Sequence, residues 1–138
     1  MFMRKVCLVF FTALSLAGCS AHSPFILTNT TDSEPVDTSK FTPHTERVFV
    51  TKQPLPSDID YDFVSTIEVG KIWYGSAGNV LESIGERARE LGANAVIDVK
   101  TWHQPSGFSW AAPHGSGRAI VVNDMEKFKS SGIVGSWY

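Results

Sequence analysis

Residues 79–102 read NVLESIGERARELGANAVIDVKTW, and no other stretch restricts the fold as tightly. Leu81, Ile84, Ala88 and Leu91 recur at three- and four-residue spacing, which places them on one face of a helix. Glu82, Glu86, Arg87, Arg89 and Glu90 fill the remaining surface. Asn79 with Glu82 three residues later matches a helix start, and Gly92 matches the left-handed stop just past a helix end. Ala95, Ile97 and Val99 then alternate with Val96, Asp98 and Lys100, the two-residue period of a strand. A helix that turns through Gly92, Ala93 and Asn94 straight into a strand packs back on the sheet which that strand joins.

The flanking segments supply the other strands. Residues 47–51, RVFVT, are rich in β-formers, and Pro54 and Pro56 break the run because proline cannot donate to a ladder. Residues 62–69 read as a second strand, with Phe63, Ile67 and Val69 on one side. Residues 118–123 alternate again. Between them, 103–117 is rich in Gly, Pro and Ser and reads as a long loop. The order strand–strand–helix–strand–strand predicts a small α+β domain over residues 46–124. Its two layers are one main helix and a largely antiparallel sheet. Residues 125–138 read as a polar C-terminal tail. A single helix leaves the other sheet face partly apolar, which favours a homo-oligomer or a covering partner.

The N-terminus carries a different signal. Residues 1–18 begin with Arg4 and Lys5 and continue into an apolar core over 6–16, the pattern of a secretory signal peptide. At roughly ten residues that core is too short to span a bilayer of about 30 Å. Leu16, Ala17, Gly18 and Cys19 resemble the bacterial lipobox. The resemblance implies that Cys19 becomes the first mature residue, with diacylglycerol on its sulfur and an acyl chain on its amine. Each buried methylene contributes about 0.8 kcal/mol, so two or three chains anchor a protein stably where one does not. Ser20, rather than Asp, follows the cysteine. By the same resemblance this implies the outer membrane, periplasmic face.

Residues 19–45 are dominated by Ser, Thr, Asn, Asp and Pro and read as a disordered tether. A coil of that length reaches roughly 25–30 Å. Phe25, Ile26 and Leu27 are its apolar exception. Cys7 leaves with the signal and Cys19 is taken by lipid, so the mature chain has no disulfide and no free thiol. Removing Arg4 and Lys5 leaves ten of the 12 basic residues against 14 acids, a net charge of −4. No basic patch suits nucleic acid.

The candidate chemistry is sparse. Trp73, Tyr74, Trp102, Phe108 and Trp110 lie in Gly-rich segments, where large rings with few torsions suit recognition. Asp98, His103 and His114 offer a carboxylate and two imidazoles to a zinc or copper ion if the 102–117 loop folds back. Gly70 and Gly75 have phosphate-loop spacing, but Ser76 and Ala77 stand where Lys and Ser or Thr belong. Asp58, Asp60 and Asp62 alternate without the Gly and Glu of a calcium loop. No G-x-S-x-G elbow is present.

Residues 86–97, ERARELGANAVI, resemble the core of the YbjQ-type domains, a family often labelled heavy-metal-binding. They also resemble that of the Rcs-system stress-sensor lipoproteins of the outer membrane. The resemblance covers roughly residues 46–124. It implies a small domain with no established catalysis, ring formation in some members, and sensing of envelope damage through protein contacts in another. The stress sensors carry disulfides here and this chain has no cysteine for them. The expected function is therefore a non-enzymatic, lipid-anchored periplasmic module that contacts envelope proteins, in stress sensing or envelope maintenance. No cofactor is expected beyond the covalent lipid on Cys19. The alternative is a metal- or small-ligand-binding module using the 102–117 loop.

Overall fold

A computed structural model describes residues 26–30 and 36–138. The expected signal segment 1–18 and Cys19 lie outside the described residues. The elements in chain order are β1 (Ile26–Thr30), β2 (Phe49–Val50), β3 (Tyr61–Lys71), α1 (Ala77–Glu90), β4 (Ala95–Ser106), β5 (Ser109–Val122), α2 (Met125–Ser130) and β6 (Ser136–Trp137). The strands form one sheet in the order β1-β3-β5-β4-β2-β6. Among the described residues only β2 and β4 run parallel, and every other neighbouring pair is antiparallel. One main helix on a mostly antiparallel sheet gives the α+β domain that the patterning predicts.

The turn from α1 to β4 follows from its three residues. Gly92 has φ +80, which a glycine adopts without a Cβ penalty. Ala93 N–H donates to Ala88 O at 2.9 Å and Gly92 N–H to Arg89 O at 3.1 Å, a Schellman pair that satisfies the last helical carbonyls. Asn94 then completes a strand pairing with its side chain. Its amide donates to Val122 O at 3.0 Å and accepts from Val122 N–H at 2.8 Å. The helix begins at Ala77, with Ser76 as N-cap, two residues ahead of the expected Asn79 start. Val80, Ile84 and Ala88 are fully buried, so the apolar face is centred nearer Val80 than Leu81, which is half-buried.

Bulges re-aim two strands. The β3–β5 register shifts between Phe63 and Ser65. Phe63 therefore faces away from the helix and is 43% exposed, while Ile67 and Val69 are fully buried beneath α1. Their expected common face is corrected by that one extra residue. In β4 the register shifts between Ile97 and Lys100, and Asp98 has φ 54. Asp tolerates this left-handed conformation better than most residues. The N–H groups of Asp98 and Val99 turn to Gln53 O and Thr51 O, which extends the contact with the β2 side.

Three expectations at the domain's edges are corrected. The segment 103–117 is not a loop: β4 and β5 form a long hairpin closing between Ser106 and Ser109. Residues 36–45, expected within the tether, pack on the domain. Phe41 is buried in the helix-side core and Val36 lies against it. His44 Nε2–H donates to Ala93 O at 2.8 Å, and its backbone N–H donates to Arg89 O. Ile26–Thr30 pairs along β3 rather than trailing free.

The C-terminal tail is also structural. Asp124 caps α2 by accepting from Lys127 N–H at 2.9 Å. Phe128 is 1% exposed and meets Phe49 edge-on at 5.1 Å. With Ile59, Ala95, Ile97, Ile120 and Val122 it forms a second core on the sheet face opposite α1. That core covers part of this face from within the chain, while Phe63 stays 43% exposed. Tyr138 exchanges backbone hydrogen bonds with Val48 beyond β6.

Candidate functional site

One end of the sheet collects aromatic rings from two separate segments. The β4–β5 hairpin projects beyond the sheet and turns at Gly107, whose φ is +55. A Cβ there would stand 2.6 Å from Ile72 Cβ, so only glycine lets the tip lie against the segment that follows β3. Phe108 N–H donates to Ile72 O at 3.1 Å and fixes the contact. The tip and the 72–76 connection are therefore held together, and their rings meet. Trp73 lies 6.3 Å from Phe108 and 6.0 Å from Tyr74, ring centre to ring centre.

These rings remain in solvent. Trp73 is 39% exposed, Tyr74 53%, Phe108 79% and Trp110 83%. A shallow concavity lined by Pro105, Ser106, Phe108, Ser109 and Trp110 lies beside them. Neither contributing segment is acidic: residues 70–81 and 99–123 contain no Asp or Glu. An apolar, acid-free end on a chain with a net negative charge can bind by burying its rings.

Four of the five aromatic residues singled out from the sequence thus converge. The fifth, Trp102, stands apart on the sheet. It pairs across strands with His114, stacks on that ring at 6.0 Å, and donates from Nε1 to Gln104 Oε1 at 2.7 Å. Sequence reasoning missed Ile72 and Gly107, which hold the aromatic end together. The signal for Gly107 was the Ser-Gly dipeptide at 106–107, a turn marker inside a stretch read as continuous loop.

The three candidate metal ligands are not brought together. His114 pairs with Trp102, and His103 pairs with Pro113, one step along each strand. Alternation therefore puts the two imidazoles on opposite faces of the hairpin. His103 is exposed, whereas His114 is 8% exposed and lies across Gly70. Burial lowers the His114 pKa, partly opposed by Glu68 and assisted by His103. Asp98 is engaged elsewhere: its Oδ2 accepts from Arg118 at 3.2 Å. Arg118 also donates to the Tyr61 hydroxyl at 3.2 Å and sits over the Phe63 ring. The Tyr61 and Asp98 bonds raise the Arg118 pKa further, in that order. Among the described residues no group of three or more His, Cys, Asp or Glu side chains converges as a metal site.

A second concavity, between β2, α1 and the C-terminal segment, is lined by Thr51, Gln53, Leu81, Val99 and Val134. Lys52 is the one charged side chain in that lining. No family model matches the chain, and no curated protein or solved structure matches it significantly.

Proposed function

We propose that the chain is an outer-membrane lipoprotein whose periplasmic domain works by contact rather than by turnover, with the aromatic end as its contact surface. Such a module suits envelope stress sensing or envelope maintenance. The observation that carries this reading is the exposure of Trp73, Tyr74, Phe108 and Trp110 at one end. A whole aromatic side chain buries about 150–250 Å², and the exposed share of each of these rings is what a partner would remove from water. Phe128 and Phe49 show that this chain buries rings where they serve stability. Rings left outside together, from two segments tied by one backbone hydrogen bond, fit a surface that is covered in the working state. The anchor is supported by the signal-like residues 1–18 and the lipobox-like sequence ending at Cys19. Partners open to such a surface are other envelope proteins and lipid.

Photocrosslinking in living cells tests the contact. A benzophenone amino acid at position 74 or 108 of the full-length protein should give a covalent adduct, while one at exposed Glu82 on α1 should not. Adducts at neither aromatic position would defeat the contact reading. The anchor is tested separately by Cys19→Ala, which should move the protein from the membrane to the soluble fraction.

A further inference from the structure

We infer that the aromatic end seats on the bilayer that holds the lipid anchor, with Trp73, Tyr74, Phe108 and Trp110 at the boundary between headgroups and acyl chains. The inference rests on the lipid-anchored reading and names the occupant of its contact surface. The direction of β1 carries it. Ile26 pairs with Lys71 and Thr30 with Ile67, so the start of β1 lies at the end of β3 that leads into Ile72 and Trp73. The chain therefore leaves the sheet toward its N-terminus at the aromatic end. Cys19 is seven residues before Ile26. Seven residues span at most roughly 25 Å even when fully extended. A bilayer gripping Cys19 is consequently within reach of the aromatic end. The opposite end of the sheet is much farther away. Phe49 pairs with both Trp137 and Ala95. At about 3.3 Å per residue, Ala95 and Ser106 at the two ends of β4 are roughly 35 Å apart.

Composition and charge favour lipid as the occupant. Trp and Tyr have apolar bodies with one polar tip, the character enriched where a membrane meets water. An anionic headgroup layer repels carboxylates, and the two segments forming this end contain none. Of their basic groups, Lys100 and His103 are exposed on β4, whereas Lys71 and His114 are buried and Arg118 lies toward the far end, paired with Asp98. A short lead and a ring-bearing end give the domain two attachments to one membrane, so the second forms at high effective concentration. Seated in this way, the domain holds the C-terminal end of α1 and the β2–β6 edge away from the lipid.

The test reconstitutes the full-length, acylated protein into vesicles of phosphatidylcholine and phosphatidylglycerol, with or without bromine on the phosphatidylcholine acyl chains. Bromine quenches tryptophan only when the two are close. The chain has four tryptophans, at 73, 102, 110 and 137. Wild type should be quenched by the brominated vesicles. The Trp73→Phe/Trp110→Phe variant should lose most of that quenching, and Trp102→Phe/Trp137→Phe should retain it. Phenylalanine keeps a ring at each site, so the seat is preserved while the reporter is removed. Mass spectrometry of the same sample reads the acyl chains on Cys19. If Cys19 is acylated but quenching is absent, or equal in the two variants, the bilayer seat is overturned and the anchor stands. If Cys19 carries no acyl chain, both readings fall. A benzophenone at position 74 that crosslinks protein and no lipid in cells also overturns the seat, and makes the occupant a protein.

Discussion

His114 of β5 lies across Gly70, its antiparallel partner on β3, so closely that a Cβ at position 70 would overlap Nδ1 and Cε1 of the imidazole. Trp102 stacks on the same ring from the neighbouring strand. The imidazole is therefore confined by a glycine and an indole, and it cannot move aside without giving up one of them. Gly70→Ala should destabilise the domain by about 1–3 kcal/mol, the usual range for overpacking. Urea unfolding checks this. His114→Ala placed in the Gly70→Ala background should recover part of the loss, because residues in direct contact are not additive. A fully additive pair would mean that the alanine methyl clashes elsewhere.

The same confinement makes stability depend on pH. Burial holds the folded-state pKa of His114 below its ordinary 6.5, with Glu68 opposing the shift and His103 adding to it. The unfolded chain then binds more protons than the folded one as the pH falls past that ordinary value. The stabilisation from this group is complete above 6.5 and is lost as pH falls from there through the lowered folded value. Thermal melting at about pH 7.5 and about pH 5 should show a lower midpoint in acid, and His114→Phe should narrow the difference. An unchanged difference would assign the effect to other groups.

Asn94 shows how a short motif becomes a structural joint. Both bonds to Val122 come from its side chain, so one amide replaces a missing strand residue. Asn94→Ala would leave the Val122 N–H and carbonyl without those partners. The cost should be about 1–3 kcal/mol, because buried unsatisfied groups lose their full desolvation energy. Asn94→Asp keeps the acceptor and loses the donor, so it should fall between wild type and alanine. Chemical denaturation of the three proteins orders them.

The helix and its turn were legible because periodicity and the Gly-Ala-Asn sequence act over short range. Ile84, Ala88 and Leu91 are buried in α1's face, and Gly92 ends it, as the pattern implies. The hairpin was not legible, because Pro105, Gly107, Pro113, Gly115 and Gly117 all carry loop propensity. Tertiary context overrides that propensity. Pro113 lies one step beyond the last β3–β5 pair, where β5 has a single neighbour and proline is tolerated. Single-residue bulges were invisible for a related reason. The side-chain period of a strand is two, so one inserted residue reverses every later assignment, as Phe63 shows. The aromatic residues of the site were visible as residue types. Their convergence was not, because it depends on Gly107 meeting Ile72 from a distant segment.

Phe128 is the clearest omission. Two apolar residues, Met125 and Phe128, in a six-residue helix make too short a pattern to read as a period, yet Phe128 is almost fully buried against Phe49. Phe128→Ala should cost about 3–5 kcal/mol, the range for emptying a buried aromatic site. A loss below 1 kcal/mol in denaturant titration would mean that α2 does not hold the second core. Lys127, which pairs with Asp58, is exposed, and Lys127→Ala should change stability by less than about 1 kcal/mol.

Gly92 separates two causes that usually coincide. Its φ of +80 disfavours a Cβ, and Asn is the side chain that best tolerates the left-handed region. On conformation alone, Gly92→Asn should be milder than Gly92→Ala. The surroundings argue otherwise. A Cβ at 92 would stand 2.7 Å from the Phe41 carbonyl carbon and 2.9 Å from Thr42 N, both backbone atoms of the segment strapped across the helix end. Backbone held by buried Phe41 and by the His44 bonds cannot yield as a flexible side chain can. Both variants should therefore lose more than the roughly 1 kcal/mol of a simple glycine replacement, and Asn should give no rescue. Hydrogen exchange would show where the loss falls: the His44 and Ala93 amides should lose protection before the strands do. A wild-type melt for Gly92→Asn would mean that residues 41–42 do not press on the helix terminus.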